Sequence, residues 1–164
     1  MELFERRDGG ALNRLVEAEP RAVSLVLGRL WDTVPERRAM AARTLGCAAR
    51  AHPDLARELA RRLLWALNDE SASNGVHGIA ALGEMGAARP DVIGPFVGPL
   101  ASHLVDPGLR CEILRALSRV AESAPDMVSA HRAEVERNVV PTGGEERELL
   151  TRLFRILEGS RHGT

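Results

Sequence analysis

The chain has 164 residues, enough for one domain with a sizeable buried core. Its 22 basic residues, all Arg, against 23 acidic ones leave a net charge of −1, which argues against a protein whose main work is gripping phosphate backbone. Apolar residues reach 45% while aromatics are only 3%, so Ala and Leu, both good helix formers, must build the core.

The opening Met1-Glu2-Leu3-Phe4-Glu5-Arg6-Arg7 lacks the apolar stretch of a secretion signal, and no apolar run approaches about 18 residues. A soluble, cytoplasmic protein is expected. Helical periodicity then predicts helices over roughly 11–18, 20–31, 36–50, 53–68, 75–87, 90–104, 108–122, 125–138 and 145–158, with no stretch of period two. In the fourth, Leu55, Leu59, Leu63 and Leu67 recur at i+4, with Ala56, Ala60 and Leu64 widening the stripe. Pro95 and Pro99 fall inside the sixth and should kink it or shorten its start. Cys47 and Cys111 lie inside helical patterns with no CxxC, and read as small buried hydrophobes in a reducing compartment. Gly143-Gly144 opens the loop before the last helix, a capping helix over roughly 145–158, and 160–164 reads as a frayed tail.

Landmarks recur along this series. Leu30-Trp31-Asp32, Leu67-Asn68-Asp69 and Leu104-Val105-Asp106 share the form Leu-x-Asp, with the aspartates 37 residues apart both times. Each is followed by a helix containing Leu45-Gly46, Leu82-Gly83 or Leu117-Ser118, then by Pro53-Asp54, Pro90-Asp91 or Pro125-Asp126; Pro20 is a weaker, earlier copy. Pro suits a first helical turn because its missing N–H would be unpaired there anyway, and the Asp after it faces the positive end of the helix dipole. The Asp of Leu-x-Asp offers oxygens to the N–H groups of the next helix start, and the Gly or Ser lets neighbouring helices approach.

On these residues the chain resembles the HEAT-like repeats, in particular the short type named after the phycocyanobilin lyases. That unit reads Leu-x-Asp, a short turn, Val-Arg, then Ala-Ala-x-Ala-Leu-Gly. Asp32, Arg38, Ala41, Ala42, Leu45 and Gly46 fit it, and Asp106, Leu109, Arg110, Ala116 and Leu117 fit it again with a shorter turn. The resemblance covers roughly 20–140 and implies an all-α fold: a right-handed α-α superhelix, or HEAT-like solenoid, of about nine helices in a single domain over 1–164. It implies little about function, because such repeats serve scaffolds, enzyme subunits and adaptors alike.

The middle unit departs from the pattern. Gly75 stands in the Arg slot, after the polar turn Asn68-Asp69-Glu70-Ser71-Ala72-Ser73-Asn74. Local violations of a consistent pattern are expected at functional or strained sites. The stretch from Trp65 to Gly75 and on to Gly83-Glu84 also resembles one in a bacterial subgroup of HEAT-like proteins with no assigned activity. Where a second aromatic is expected in the turn of that subgroup, Val76 or His77 stands here. In one reading Ser71, Ser73 or Asn74 caps the following helix while Asp69 and Glu70 complement its dipole. In the other, Asn68, Asp69, Glu70 and His77 touch a partner. A metal site is not expected, because Asp69, Glu70, His77 and Glu84 lack a recognised ligand spacing.

Trp65 lies outside the apolar arc of its helix, beside Glu58, Arg61 and Arg62. It is either a plug between repeats or an exposed anchor. As an anchor beside Arg57, Arg61 and Arg62 it has the composition favoured at binding hot spots. Trp31 lies one turn further along the preceding equivalent helix.

No Ser-His-Asp order, P-loop, GxGxxG or HExxH is present, and His52, His103, His131 and His162 share no spacing. Glu145-Glu146 and Arg147 read as an ordinary helix start. The leading expectation is a non-catalytic interaction or scaffold module with no cofactor, holding a protein or peptide through Trp65, Arg61, Asn68, Asp69, Glu70 and His77. The alternatives are a nucleic-acid-binding helical repeat, drawing on Arg37, Arg38, Arg43, Arg57, Arg61 and Arg62, and a lyase-like enzyme subunit using the 68–77 turn and Glu84.

Overall fold

The computed structural model describes residues 2–68 and 75–160. Among them all regular structure is helical: α1 (Glu2–Glu5), α2 (Gly9–Ala18), α3 (Ala22–Gly28), α4 (Pro35–Ala51), α5 (Pro53–Trp65), α6 (Val76–Ala88), α7 (Pro90–Ser102), α8 (Arg110–Ala121), α9 (Pro125–Ser129), α10 (Arg132–Asn138) and α11 (Gly144–Gly159). These eleven exceed the nine expected for two reasons. A four-residue α1 is barely one turn, too short to show a period. The helix expected over 125–138 breaks at Ala130 and His131, where the His131 N–H bonds back to the Val128 carbonyl and tightens the chain into a turn.

Pro53, Pro90 and Pro125 open α5, α7 and α9 as their missing N–H groups suggest. The turns Arg29–Trp31, Ala66–Asn68 and His103–Val105 are 3-10 helices that finish α3, α5 and α7, so Leu30, Leu67 and Leu104 of the landmark each lie in such a turn. Pro95 and Pro99 do not shorten α7, which runs unbroken from Pro90 to Ser102. Both prolines lie four apart on its exposed side, where water can serve the carbonyls that lose helical partners.

The helices form two rows. In the first, α2, α4, α6, α8 and α11 pack each against the next; in the second, α5 packs on α7, and α7 on α9 and α10. The first row touches closely because its facing residues are small. A Cβ on Gly46 would stand 2.9 Å from the Glu84 carbonyl oxygen, and one on Gly83 would stand 2.8 Å from Ala116 Cα. Between the rows lies one continuous core, with Leu30, Leu45, Ile79, Leu82, Leu104, Leu114, Leu117 and Leu153 essentially inaccessible. The predicted α5 stripe is mostly inside: Ala56, Leu59, Ala60, Leu63 and Leu67 are buried, while Leu55 and Leu64 are half-buried against them. Cys47 and Cys111 are free thiols and only half-buried, not sealed in the core as expected. No helix among the described residues is long and apolar enough to cross a membrane.

Candidate functional site

The joints between second-row and first-row helices set the geometry of the candidate site. At the first, Asp32 Oδ1 accepts from the Val34 N–H at 2.9 Å and Oδ2 from Arg29 at 3.0 Å, with Arg37 3.8 Å away. The Val34 N–H holds the Asp32 carboxyl below the usual carboxylate range, against the opposing effect of burial, and Arg29 and Arg37 add to it. At the third joint Asp106 Oδ1 accepts from the Gly108 N–H at 2.8 Å. Both bonds close the turn ahead of the helix, one step earlier than the first-turn N–H groups that the spacing suggested. The repeat Arg has a matching task. Arg38 donates to the Asp32 carbonyl and Arg110 to the Leu104 carbonyl, each at 2.8 Å, satisfying groups left open where the preceding helix ends.

The middle joint lacks this Arg, and packing accounts for it. A Cβ on Gly75 would meet Leu67 Cδ2 at 2.8 Å and the Ala66 carbonyl oxygen at 2.9 Å. The start of α6 sits directly on the Ala66–Asn68 turn, leaving no space for any side chain. The departure at Gly75 is therefore a close-approach constraint. Gly75 precedes α6 without a side-chain cap, and the capping candidates Ser71, Ser73 and Asn74 lie outside the described residues.

The second row is not uniformly closed. α5 packs along α7, but α3 and α5 make no comparable contact, and a groove of about 420 Å³ runs between them. Leu27 and Trp31 line one wall; Leu59, Leu63, Trp65 and Ala66 line the other, with Arg61 and Arg62 on the rim. Leu59 and Leu63 are anchored in the core, so the floor is rigid and apolar. Trp65 is 72% exposed and Trp31 41% exposed, so Trp65 is not a plug between repeats. Arg61 pairs with Glu58 one turn back on α5. Arg57 pairs with Asp54 at 2.8 Å and does not line the groove.

The expected site residues therefore separate. Trp65 and Arg61 share the groove. Asn68 is exposed at the end of the turn that follows. His77 stands on the first turn of α6 and lines a different recess of about 260 Å³ with Arg38 and Glu112. Asp69 and Glu70 lie outside the described residues. Trp31, Leu27 and Arg62 complete the groove. The Trp31 contribution was foreshadowed by its alignment with the equivalent helix, whereas no sequence signal marked Leu27.

Glu146, expected as part of a plain helix start, is buried. It accepts from the Thr142 N–H at 2.7 Å and the Thr142 hydroxyl at 3.1 Å, with Arg110 3.9 Å away. The Thr142 N–H first, then its hydroxyl and Arg110, hold this carboxyl below its usual range, while burial opposes them. Burial pushes the Cys111 thiol up, and Glu145 adds to it. No three His, Cys, Asp or Glu side chains among the described residues are grouped so as to hold a metal ion. Compared with known proteins, the chain matches no family model, no curated protein and no solved structure.

Proposed function

We propose that this chain is a HEAT-like repeat protein, its helix pairs wound as a right-handed solenoid. It acts as a non-catalytic, cytoplasmic interaction module that holds a protein or peptide partner between α3 and α5. Support for the architecture comes from the Leu-x-Asp period and from two rows of helices that pack in register with it. The observation that carries the functional reading is the exposure of Trp65, 72%, on the wall of an apolar groove that Trp31 also lines. An aromatic of that size held open to water gains most when a partner desolvates it, and Arg61 and Arg62 supply the polar rim.

Trp31 and Trp65 are the only two tryptophans and Tyr is absent, so intrinsic fluorescence reports this groove and nothing else. Partner capture from native extract, by wild type and by Trp65→Ala, tests the reading. Truncating a hot-spot aromatic costs at least about 2 kcal/mol of binding, roughly 30-fold in affinity. Being exposed, Trp65 should change thermal stability by no more than about 0.5 kcal/mol on truncation, against roughly 3–5 kcal/mol for a buried Trp. A captured partner should also shift the tryptophan emission. Equal capture by the variant, with unshifted emission, removes the groove as the binding site.

A further inference from the structure

The geometry points to a second site, on the opposite row of helices: a pocket for a small phosphate-bearing ligand between α2, α4 and α6. It is independent of the tryptophan groove. The recess measures about 350 Å³, within the range of small-molecule sites, and its walls carry Arg7, Arg43, Arg50 and Arg119 against the single carboxylate of Glu84. In a chain of net charge −1 this is a local concentration of positive charge.

The charges are not equivalent. Arg119 is engaged by Glu84 at 3.1 Å and Glu122 at 3.0 Å. Several arginines elsewhere are engaged in the same way: Arg57 faces Asp54, Arg89 faces Asp91, Arg132 faces Glu136. Arg7, Arg43 and Arg50 have no carboxylate partner among the described residues and line one recess together; Arg50 donates to Cys47 Sγ, at 3.0 Å. Three guanidiniums around one recess, each with donors to spare, match the several terminal oxygens of a phosphate better than the two of a carboxylate.

The pocket also has a backbone cause. Gly9, Ala87 and Ala88 line it with small residues, while at Gly46 α4 meets the α6 backbone. Arg7 holds φ at +55°, the left-handed region that favours glycine. The Asp8 N–H bonds the Leu3 carbonyl and the Arg7 N–H bonds the Phe4 carbonyl, the pairing of a helix end whose left-handed position is usually Gly. Arginine occupies that position here, and the turn delivers it to the pocket wall.

Cys47 lies in the same wall and serves as a reporter. An anion seated between Arg43 and Arg50 covers its Sγ, while Cys111 lines no part of this pocket and serves as the internal control. Alkylation of both thiols by iodoacetamide is followed by mass spectrometry as inorganic phosphate or pyrophosphate is added, ionic strength being held constant with sodium chloride. Saturable protection of Cys47 alone, at millimolar concentration or below, is the expected result. Arg43→Gln should weaken it about tenfold or more, the loss of one charge-assisted contact, and Arg155→Gln on α11 should not. A helical spectrum matching the wild type establishes that Arg43→Gln is folded, and direct phosphate titration of Arg50→Gln by calorimetry gives a second reading. Absence of protection, protection of both thiols alike, or an unchanged midpoint in Arg43→Gln overturns the proposal. Protection by duplex DNA but not by pyrophosphate overturns it too, in favour of a nucleic-acid surface.

Discussion

Single residues of this chain are best understood through what stands next to them. Gly75 is the clearest example. By the repeat pattern it is a vacancy where Arg38 and Arg110 have counterparts, and restoring Arg there looks like an improvement. The neighbouring Ala66 carbonyl forbids it: any side chain begins with a Cβ 2.9 Å from that oxygen. Gly75→Ala should therefore destabilise by roughly 1–3 kcal/mol, the usual range for overpacking, and Gly75→Arg should be no better. Gly143→Ala, where a Cβ has nothing within 4 Å, should stay within about 0.5 kcal/mol of wild type. Urea midpoints of the three variants check this, and a more stable Gly75→Arg would show that the joint can open for the repeat Arg. Trp65 stood outside the apolar arc in sequence, because a helical wheel distinguishes the two sides of a helix. Whether that side meets a neighbour is decided by the separation of α3 from α5, which no residue of α5 encodes alone.

At the scale of elements, the helices most legible in sequence are those with a Pro start, a Leu-x-Asp end and a long apolar stripe. Sequence reading failed for α1 and for the break between α9 and α10, where segments of one or two turns show too little period. The last helix, α11, expected as a capping helix, packs on α8 and α9 with Leu153 and Leu157 buried. Arg115 reaches Glu145, and Arg132 lies over the Phe154 ring at 4.6 Å, so polar and aromatic contacts frame the apolar ones. Leu153, fully inaccessible, sets the magnitude: Leu153→Ala should cost about 2–5 kcal/mol, as core Leu truncations do. Removal of 145–164 should lower the melting temperature and expose the face of α8 that binds a hydrophobic dye. An unchanged melting temperature in the truncated chain would mean that α11 does not hold the stack together.

Two carboxylates held below their usual range sit at helix joints far apart in the molecule, Asp32 between α3 and α4 and Glu146 at the start of α11. A carboxyl depressed in the folded state binds its proton more readily when unfolded. Its stabilising contribution is complete above the ordinary carboxylate range and disappears as pH falls through the depressed folded values. Chemical denaturation followed from neutral pH downward should show stability falling steeply below the ordinary carboxylate range. In Asp32→Asn and Glu146→Gln the neutral-pH stability should be lower and the acid limb shallower, and parallel limbs in wild type and variants would contradict the assignment. The sequence alone determined the all-helical class, the 37-residue period and the residues that start and end the repeated helices, because these depend on local rules: φ of proline, dipole ends, and the spacing of Leu and Ala on one face. The tertiary structure decided the rest. Glu146 looked like one more exposed acid until the fold placed Thr142 and Arg110 around it, and Arg7, Arg43 and Arg50 are scattered in sequence but share one recess. Both facts depend on how far apart whole helices come to rest, a distance set by the sum of many side-chain contacts across the core and by no local stretch of chain.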